Sequence, residues 1–312
     1  MEQPVIHSFQ CDELQRNAVL GALYRNRTPG WSFTGHLLGI SFDRVNLTNS
    51  MLRCASAEHI RTDDGVVDFG AVAVLADLAL GICCREASGG AIRMATVSLS
   101  MMMHRTVGTG DLTARSQLCS YDPKTQMSTA LARIFCGGSL LCTVTGSFLA
   151  LPAPDHIATH EPRFRTDEGA VVPVLQPDSL SEEESKIYSR VNGEPLPTGR
   201  SFLSRFWGFD VKKGWAGANG RFMVGPHVGN RVGHVQGGIL CAFAAGVAQA
   251  ANRNAFQLAS MHTTFHRPGD GGILYGNALR VHQGRTTEVL NTVVTDRGGT
   301  ALLFAQSTFF RP

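Results

Sequence analysis

Residues 229–252 read GNRVGHVQGGILCAFAAGVAQAAN, and the fold turns on this stretch. A polar, glycine-rich loop runs into the pair Gly237-Gly238, and no charged residue occurs from Gly237 to Asn252. Ile239, Leu240, Phe243, Val247 and many alanines predict a helix that is apolar nearly all round, hence buried and wrapped by a sheet. Two glycines at a helix start let the backbone come close to a ligand. The first amides of such a helix have no internal partner and point outward at the positive end of the dipole. That arrangement suits a polarised carbonyl oxygen or a phosphate. The run is too short and too alanine-rich for a membrane span.

The chain around it has 312 residues, enough for two domains with a core in each. It is 43% hydrophobic and 17% charged, the composition of a globular protein, and its formal charge of +3 gives no argument for nucleic acid. Eight cysteines occur without a CxxC pair. Cys83, Cys84, Cys136, Cys142 and Cys241 sit in apolar runs and read as buried thiols of a reducing compartment. The N-terminal MEQPVIHSFQCDELQ lacks a signal-peptide core, so a cytoplasmic location is expected.

Residues 12–26 predict a short amphipathic helix, and 36–57 two strands around a turn at Asn46–Asn49. Asp68-Phe69-Gly70 then introduces AVAVLADLALGICCREA, a second apolar helix. Four strands follow at 92–104, 111–121, 126–136 and 140–151, parted by turn signals such as Gly137-Gly138. Residues 152–200 hold seven of the 13 prolines and read as a linker. Its acidic run Ser181-Glu-Glu-Glu-Ser185 opens a short solvated helix near 179–191. The second half repeats the first. Strands near 203–211 and 218–225 precede the glycine loop, and strands near 257–266, 271–282, 285–295 and 300–311 follow the helix. Gly70 and Gly238, and Asp68 and Gln236, are each 168 apart. His104-Arg105 matches His266-Arg267 at an offset of 162. A repeat this long means duplicated domains rather than a solenoid. The expected domains are 1–151, a linker over 152–200, and 201–312.

A sheet curling round a central helix, made twice, is an α+β tandem (double) hotdog. The segments GNRVGHVQGGILCAFAAGVAQAA and ASMHTTFHRPGDGGILYGNALRVHQGRTTEVLNTVVTDRGGTALLFAQSTFF resemble the phenylacetate-pathway-like branch of hotdog acyl-CoA thioesterases. The shared steps are a glycine loop, a helix, a strand ending in Phe265-x-Arg267-Pro268, and "Gly-Arg" and "Asp-x-Gly" turns. The resemblance covers roughly 36–151 and 203–312. It implies two units back to back, with each site shared. One unit lends the glycine loop, whose amide polarises the thioester carbonyl. The other lends a helix carboxylate nine residues after the loop histidine, acting as nucleophile or as base for water.

Comparing the repeats with each other refines this. Nine residues after Asp68 is Asp77, so the first copy keeps the carboxylate, but Asp68-Phe69-Gly70 replaces its glycine loop. Nine residues after Gln236 is Ala245, so the second copy keeps Gly237-Gly238 and loses the acid. One composite site then survives, Asp77 facing Gly237-Gly238. Asp77 lies between Leu75, Ala76, Leu78 and Ala79, where burying an unpaired carboxylate is costly. The plainer reading is a helix-surface Asp or one satisfied by a nearby hydroxyl. Gln236 departs from the family histidine; it can donate to a carbonyl or hold a water, or simply brace a turn. Asn230 stands where some relatives orient the water, or is a turn residue. His234 could replace the missing histidine or donate within its loop. Thr96 and Ser98 on the next strand could bond the carboxylate, or be ordinary strand hydroxyls. Arg105 and Arg267 at matching strand ends could meet coenzyme A phosphates, or be solvated. Arg253 is a weaker candidate of that kind. Phe243, Leu75, Met102 and Met103 are expected to favour a greasy acyl or aryl group.

No metal site is expected, since His262 and His266 lack a third ligand. No phosphate loop or GxSxG elbow occurs. The expectation is a small-molecule acyl thioester as substrate, with no cofactor, nucleic acid or membrane partner and with homo-oligomers open. Rival readings are a hydratase or dehydratase on this fold, whose GDxNPxH-type motif is not found, and a non-catalytic acyl-thioester binder.

Overall fold

The computed structural model describes residues 13–27, 33–89, 93–152, 172–192, 201–252 and 256–311. Arg253 and most of the predicted linker lie outside the described residues. In the first half, helices α1 (Glu13–Asn26) and α2 (Phe33–Leu37) precede strands β1 (Ile40–Val45) and β2 (Asn49–Cys54). The long helix α3 (Phe69–Ala87) follows, and then β3 (Arg93–Met103), β4 (Leu112–Asp122), β5 (Met127–Cys136) and β6 (Ser139–Leu151). A short helix α4 (Glu182–Tyr188) leads to α5 (Phe202–Trp207), β7 (Asp210–Lys213) and β8 (Gly217–Met223). The glycine-led helix α6 (Gly237–Ala251) comes next, followed by β9 (Gln257–Phe265), β10 (Ile273–Gln283), β11 (Thr287–Thr295) and β12 (Ala301–Phe310).

All twelve strands form one antiparallel sheet in the order β1-β2-β4-β5-β6-β3-β9-β12-β11-β10-β8-β7. Read outward from the centre, the two halves follow the same order, and β3 pairs with β9 at the join (Met101 opposite Met261). Each half curls round its own helix. α3 packs on β2, β4 and β5, α6 packs on β8, β10 and β11, and the two helices pack on each other. Both are apolar on nearly every face and buried accordingly. They approach closely because Gly238 has no side chain: a Cβ there would lie 2.5 Å from the Val74 Cα. The last turn of α6 carries no basic residue. Arg280 on β10 supplies the charge instead, donating to the Ala251 carbonyl at 2.6 Å while ion-paired with the buried Glu288.

Two expectations need correction. Residues 203–211 are not a strand. Ser201 caps α5 by accepting from the Ser204 amide, and Phe202, Leu203, Phe206 and Trp207 turn one apolar face inward. Gly208 ends the helix at φ 82°, and only then does β7 begin. The first half does the same with α2 and Gly39 at φ 61°, so in both halves a short helix ended by a left-handed glycine leads into the first strand. The acidic linker helix is also more than a solvated segment. Ser181 and Glu184 form a capping box on α4, and Glu184 accepts two 2.7 Å hydrogen bonds from Arg27, just beyond the end of α1. The Arg27 guanidinium holds the Glu184 carboxyl down at about 2.

Candidate active site

Asp77 lies midway along α3 and is 7% exposed. Its carboxylate meets the start of α6 from the other half. The Thr96 hydroxyl donates to Oδ1 at 2.8 Å, Gln236 Nε2 donates to Oδ2 at 2.7 Å, and the Gly238 amide donates to Oδ2 at 3.3 Å. Burial pushes the Asp77 carboxyl up to about 6, against the downward pull of Thr96 and Gly238. Gln236 does two jobs. Its Oε1 caps α6 by accepting from the Ile239 amide at 3.0 Å, which leaves Nε2 facing Asp77. Gly237 is needed for the approach, because a Cβ there would come within 2.9 Å of Asp77 Oδ2 and 3.1 Å of Thr96 Oγ1.

These groups line a cavity of about 440 Å³. Leu78, Gly81 and Ile82 of α3 form one wall. Phe42, Met94, Phe148 and Leu149 form another, and the 230–236 loop with residues 265–269 closes the rest. The cavity is therefore apolar with a small polar end, the usual make-up of a ligand pocket.

The other expected residues divide. His234 and Arg267 line the cavity. Asn230 lines it too, but its Oδ1 accepts from the amides of Val232 (3.0 Å) and His234 (3.1 Å), so that oxygen shapes the loop rather than faces Asp77. Ser98 does not join Asp77. A bulge between Thr96 and Ser98 puts Thr96 opposite the buried Phe148 and Ser98 opposite Ser147, turning the two hydroxyls to opposite faces. Ser98 bonds Ser147 at 2.6 Å instead. Arg105 is exposed just past the far end of β3 and takes no part in the cavity. β3 and β9 run antiparallel, so their matching ends point to opposite ends of the join. Phe243 and Leu75 belong to the closed core, Met102 is 47% exposed, and neither Met102 nor Met103 lines the cavity.

At the equivalent position in the first copy, Asp68 caps α3 by accepting from the Gly70 amide. Trp207 packs directly on this helix start: a Cβ on Gly70 would lie 2.5 Å from its ring. Trp207, Phe209, Phe222 and Phe243 continue as an aromatic cluster with centroids 4.7–5.6 Å apart. Core side chains occupy this end of the molecule.

Three charged cavity residues escaped the reading of the sequence: Arg85, Arg93 and Arg231. Arg85 had a signal, since it sits eight residues after Asp77 and so shares its helix face. Arg93 and Arg231 had none.

The family model for the acyl-CoA thioesterase N-terminal domain matches residues 226–310, the half that supplies the glycine loop. Among solved structures, one similar chain is a thioesterase candidate from Novosphingobium aromaticivorans, with 12% identity, 87% of this chain and 98% of that one covered, and a TM-score of 0.56. A hot dog fold protein of unknown function from Alicyclobacillus acidocaldarius has 10% identity, coverage of 88% and 96%, and a TM-score of 0.53. The tesB protein of Mycobacterium avium subspecies paratuberculosis has 13% identity, coverage of 87% and 96%, and a TM-score of 0.52. No curated protein matches by sequence. At such identities the structural likeness speaks for the fold, and the family match speaks for the C-terminal half. The chain has the hotdog fold, and its residues 226–310 match the acyl-CoA thioesterase N-terminal domain.

Proposed function

We propose that the chain is a tandem double hotdog, with repeats at 1–151 and 201–312 joined by 152–200, and that it hydrolyses an acyl-CoA thioester at one composite site. The observation that carries the reading is the meeting of Asp77 from one repeat with Gln236 and the α6 start of the other, at the polar end of an apolar cavity.

Asp77 acts as general base. With a carboxyl near 6 it is mostly ionised at neutral pH, yet basic enough to take a proton. Thr96, Gln236 and Gly238 fix both oxygens, and a carboxylate so tethered suits proton transfer better than direct attack. Water gives a proton to Asp77 as its oxygen bonds to the thioester carbon. The carbonyl π pair moves to oxygen, and the helix dipole and the Gly237 amide stabilise that charge. Collapse re-forms the carbonyl and breaks the C–S bond. The thiolate leaves with the proton from Asp77, giving free acid and thiol and restoring the carboxylate. The reaction draws on no cofactor. Seven thiols are free among the described residues, which fits a reducing compartment.

The test is thiol release from a panel of saturated acyl-CoA esters by wild type and by Asp77→Asn. Wild type should turn over. The variant should fall by roughly 10²–10⁴-fold while still binding coenzyme A esters. Full turnover by the variant removes Asp77 from the mechanism, and no thiol release from any ester by wild type turns the reading to a binder.

A further inference from the structure

The cavity runs along one face of α3, from Asp77 past Leu78, Gly81 and Ile82 to Arg85. Positions 77, 81 and 85 are successive steps of four and lie on one face, and eight residues of helix rise about 12 Å. The near end holds the carboxylate and its donors. The middle is hydrocarbon, with Phe42, Phe148 and Leu149 opposite the helix. The far end is charged again: Arg85 is 5% exposed, and the solvent-exposed Arg231 on the loop also lines the cavity. Among the described residues, four arginines and a single carboxylate, Asp77, line the cavity. Among the described residues Arg231 has no carboxylate partner. Desolvation and the Arg85 charge hold the Arg231 guanidinium below its ordinary value, so two like charges face one another there.

The geometry points to an anion subsite at Arg85 and Arg231 that takes a carboxylate at the far end of the substrate's acyl chain, making the preferred thioester an ω-carboxyacyl one. The stretch between Asp77 and Arg85 decides which part of a thioester lies there. Its walls are apolar and suit methylenes, whereas the pantetheine arm carries amides that need partners. A surface cavity of about 920 Å³, lined by Arg267 and Arg297 together with Asp270 and Asp296, shares Arg267 and Pro268 with the acyl cavity and leaves room outside it for the rest of the thioester. Arginine suits a planar carboxylate because its fork can bind both oxygens at once. This assignment rests on the proposed thioester hydrolysis.

The experiment compares kcat/KM for octanoyl-CoA and suberoyl-CoA, two esters of equal chain length that differ in a terminal carboxylate. Wild type should favour suberoyl-CoA by roughly tenfold or more, the worth of a charge-assisted hydrogen bond. Arg231→Gln should bring the ratio of the two close to one. Arg85→Met is a second variant, with the circular dichroism spectrum and melting temperature of each protein recorded to show that it folds. A wild-type ratio at or below one, or a ratio unchanged in both folded variants, overturns the assignment. If Arg231→Gln weakens both esters equally, the guanidinium holds a phosphate common to them, and the acyl-end assignment is again overturned. Failure of wild type on every ester would instead count against hydrolysis itself, so the two ideas fail separately.

Discussion

Gln236 donates from Nε2 to Oδ2 of Asp77 at 2.7 Å, across 159 residues of sequence and across the seam between two helices. Its other amide atom is committed to capping α6. A glutamine here cannot titrate, so the acid opposite it ionises without a coupled neighbour on that side.

This gives a simple pH–rate profile. Asp77 works as base only when ionised, and burial raises its carboxyl to about 6. The kcat/KM for a saturated acyl-CoA should therefore climb tenfold per pH unit below that value and level off above it. A limb centred near an ordinary aspartate value would mean that the group controlling the rate is not this buried acid.

Gln236→Glu keeps an oxygen for the Ile239 amide and replaces the donor facing Asp77 with a second acid. Two carboxylates in contact share a proton, so the apparent value of the pair rises. The fold should survive. Activity at pH 7 should drop by roughly 10²-fold or more, with the rising limb displaced upward. A variant with wild-type rate and profile would show that the Gln236 contact is structural only.

The two glycines separate chemistry from packing. A Cβ at Gly237 would press on Asp77 Oδ2 and Thr96 Oγ1, so Gly237→Ala should push the carboxylate aside and cut turnover with little loss of melting temperature. A Cβ at Gly238 would meet the Val74 Cα at 2.5 Å and the Ala73 carbonyl at 2.6 Å, which are backbone and cannot swing away. Gly238→Ala should destabilise the protein by about 1–3 kcal/mol by forcing the helices apart. Equal effects of the two variants on stability would contradict this division.

Much of this was legible in the sequence because its two halves read alike and could be compared. The offset of 168 aligned Asp68 with Gln236, and both cap their helices in the structure. The meeting of Asp77 with the α6 start was what the family resemblance implied, since it sets a carboxylate nine residues after the loop and shares the site between units. What stayed hidden depended on backbone detail. The bulge at Val97 carries no glycine or proline, yet it turns Thr96 inward and Ser98 away. The antiparallel β3–β9 join, which sends Arg105 and Arg267 to opposite ends, is a tertiary pairing with no local signature. The strand expected over 203–211 overlooked the helical spacing of Phe202, Leu203, Phe206 and Trp207, which the capping serine and the left-handed Gly208 bound as a helix.

The stability of Asp77→Asn relative to wild type should depend on pH in a direction fixed by the carboxyl that the variant lacks. In the unfolded chain Asp77 ionises near its ordinary value of 3.8; in the folded chain it does so at about 6. Below the lower value both states are protonated and the group contributes no pH dependence. Between the two values the unfolded chain gives up its proton while the folded chain keeps it, so stability falls as pH rises through this window. Above about 6 the full cost is present, roughly 3 kcal/mol at 1.36 kcal/mol for each unit of displacement. Asparagine carries no such cost. Its amide group facing the Gln236 and Thr96 donors imposes a penalty that does not vary with pH. The melting temperature of the variant relative to wild type should therefore rise by several degrees between pH 4 and pH 8. If the two melting curves shift in parallel across that range, the folded-state carboxyl is not raised, and the burial-driven account of Asp77 fails with it.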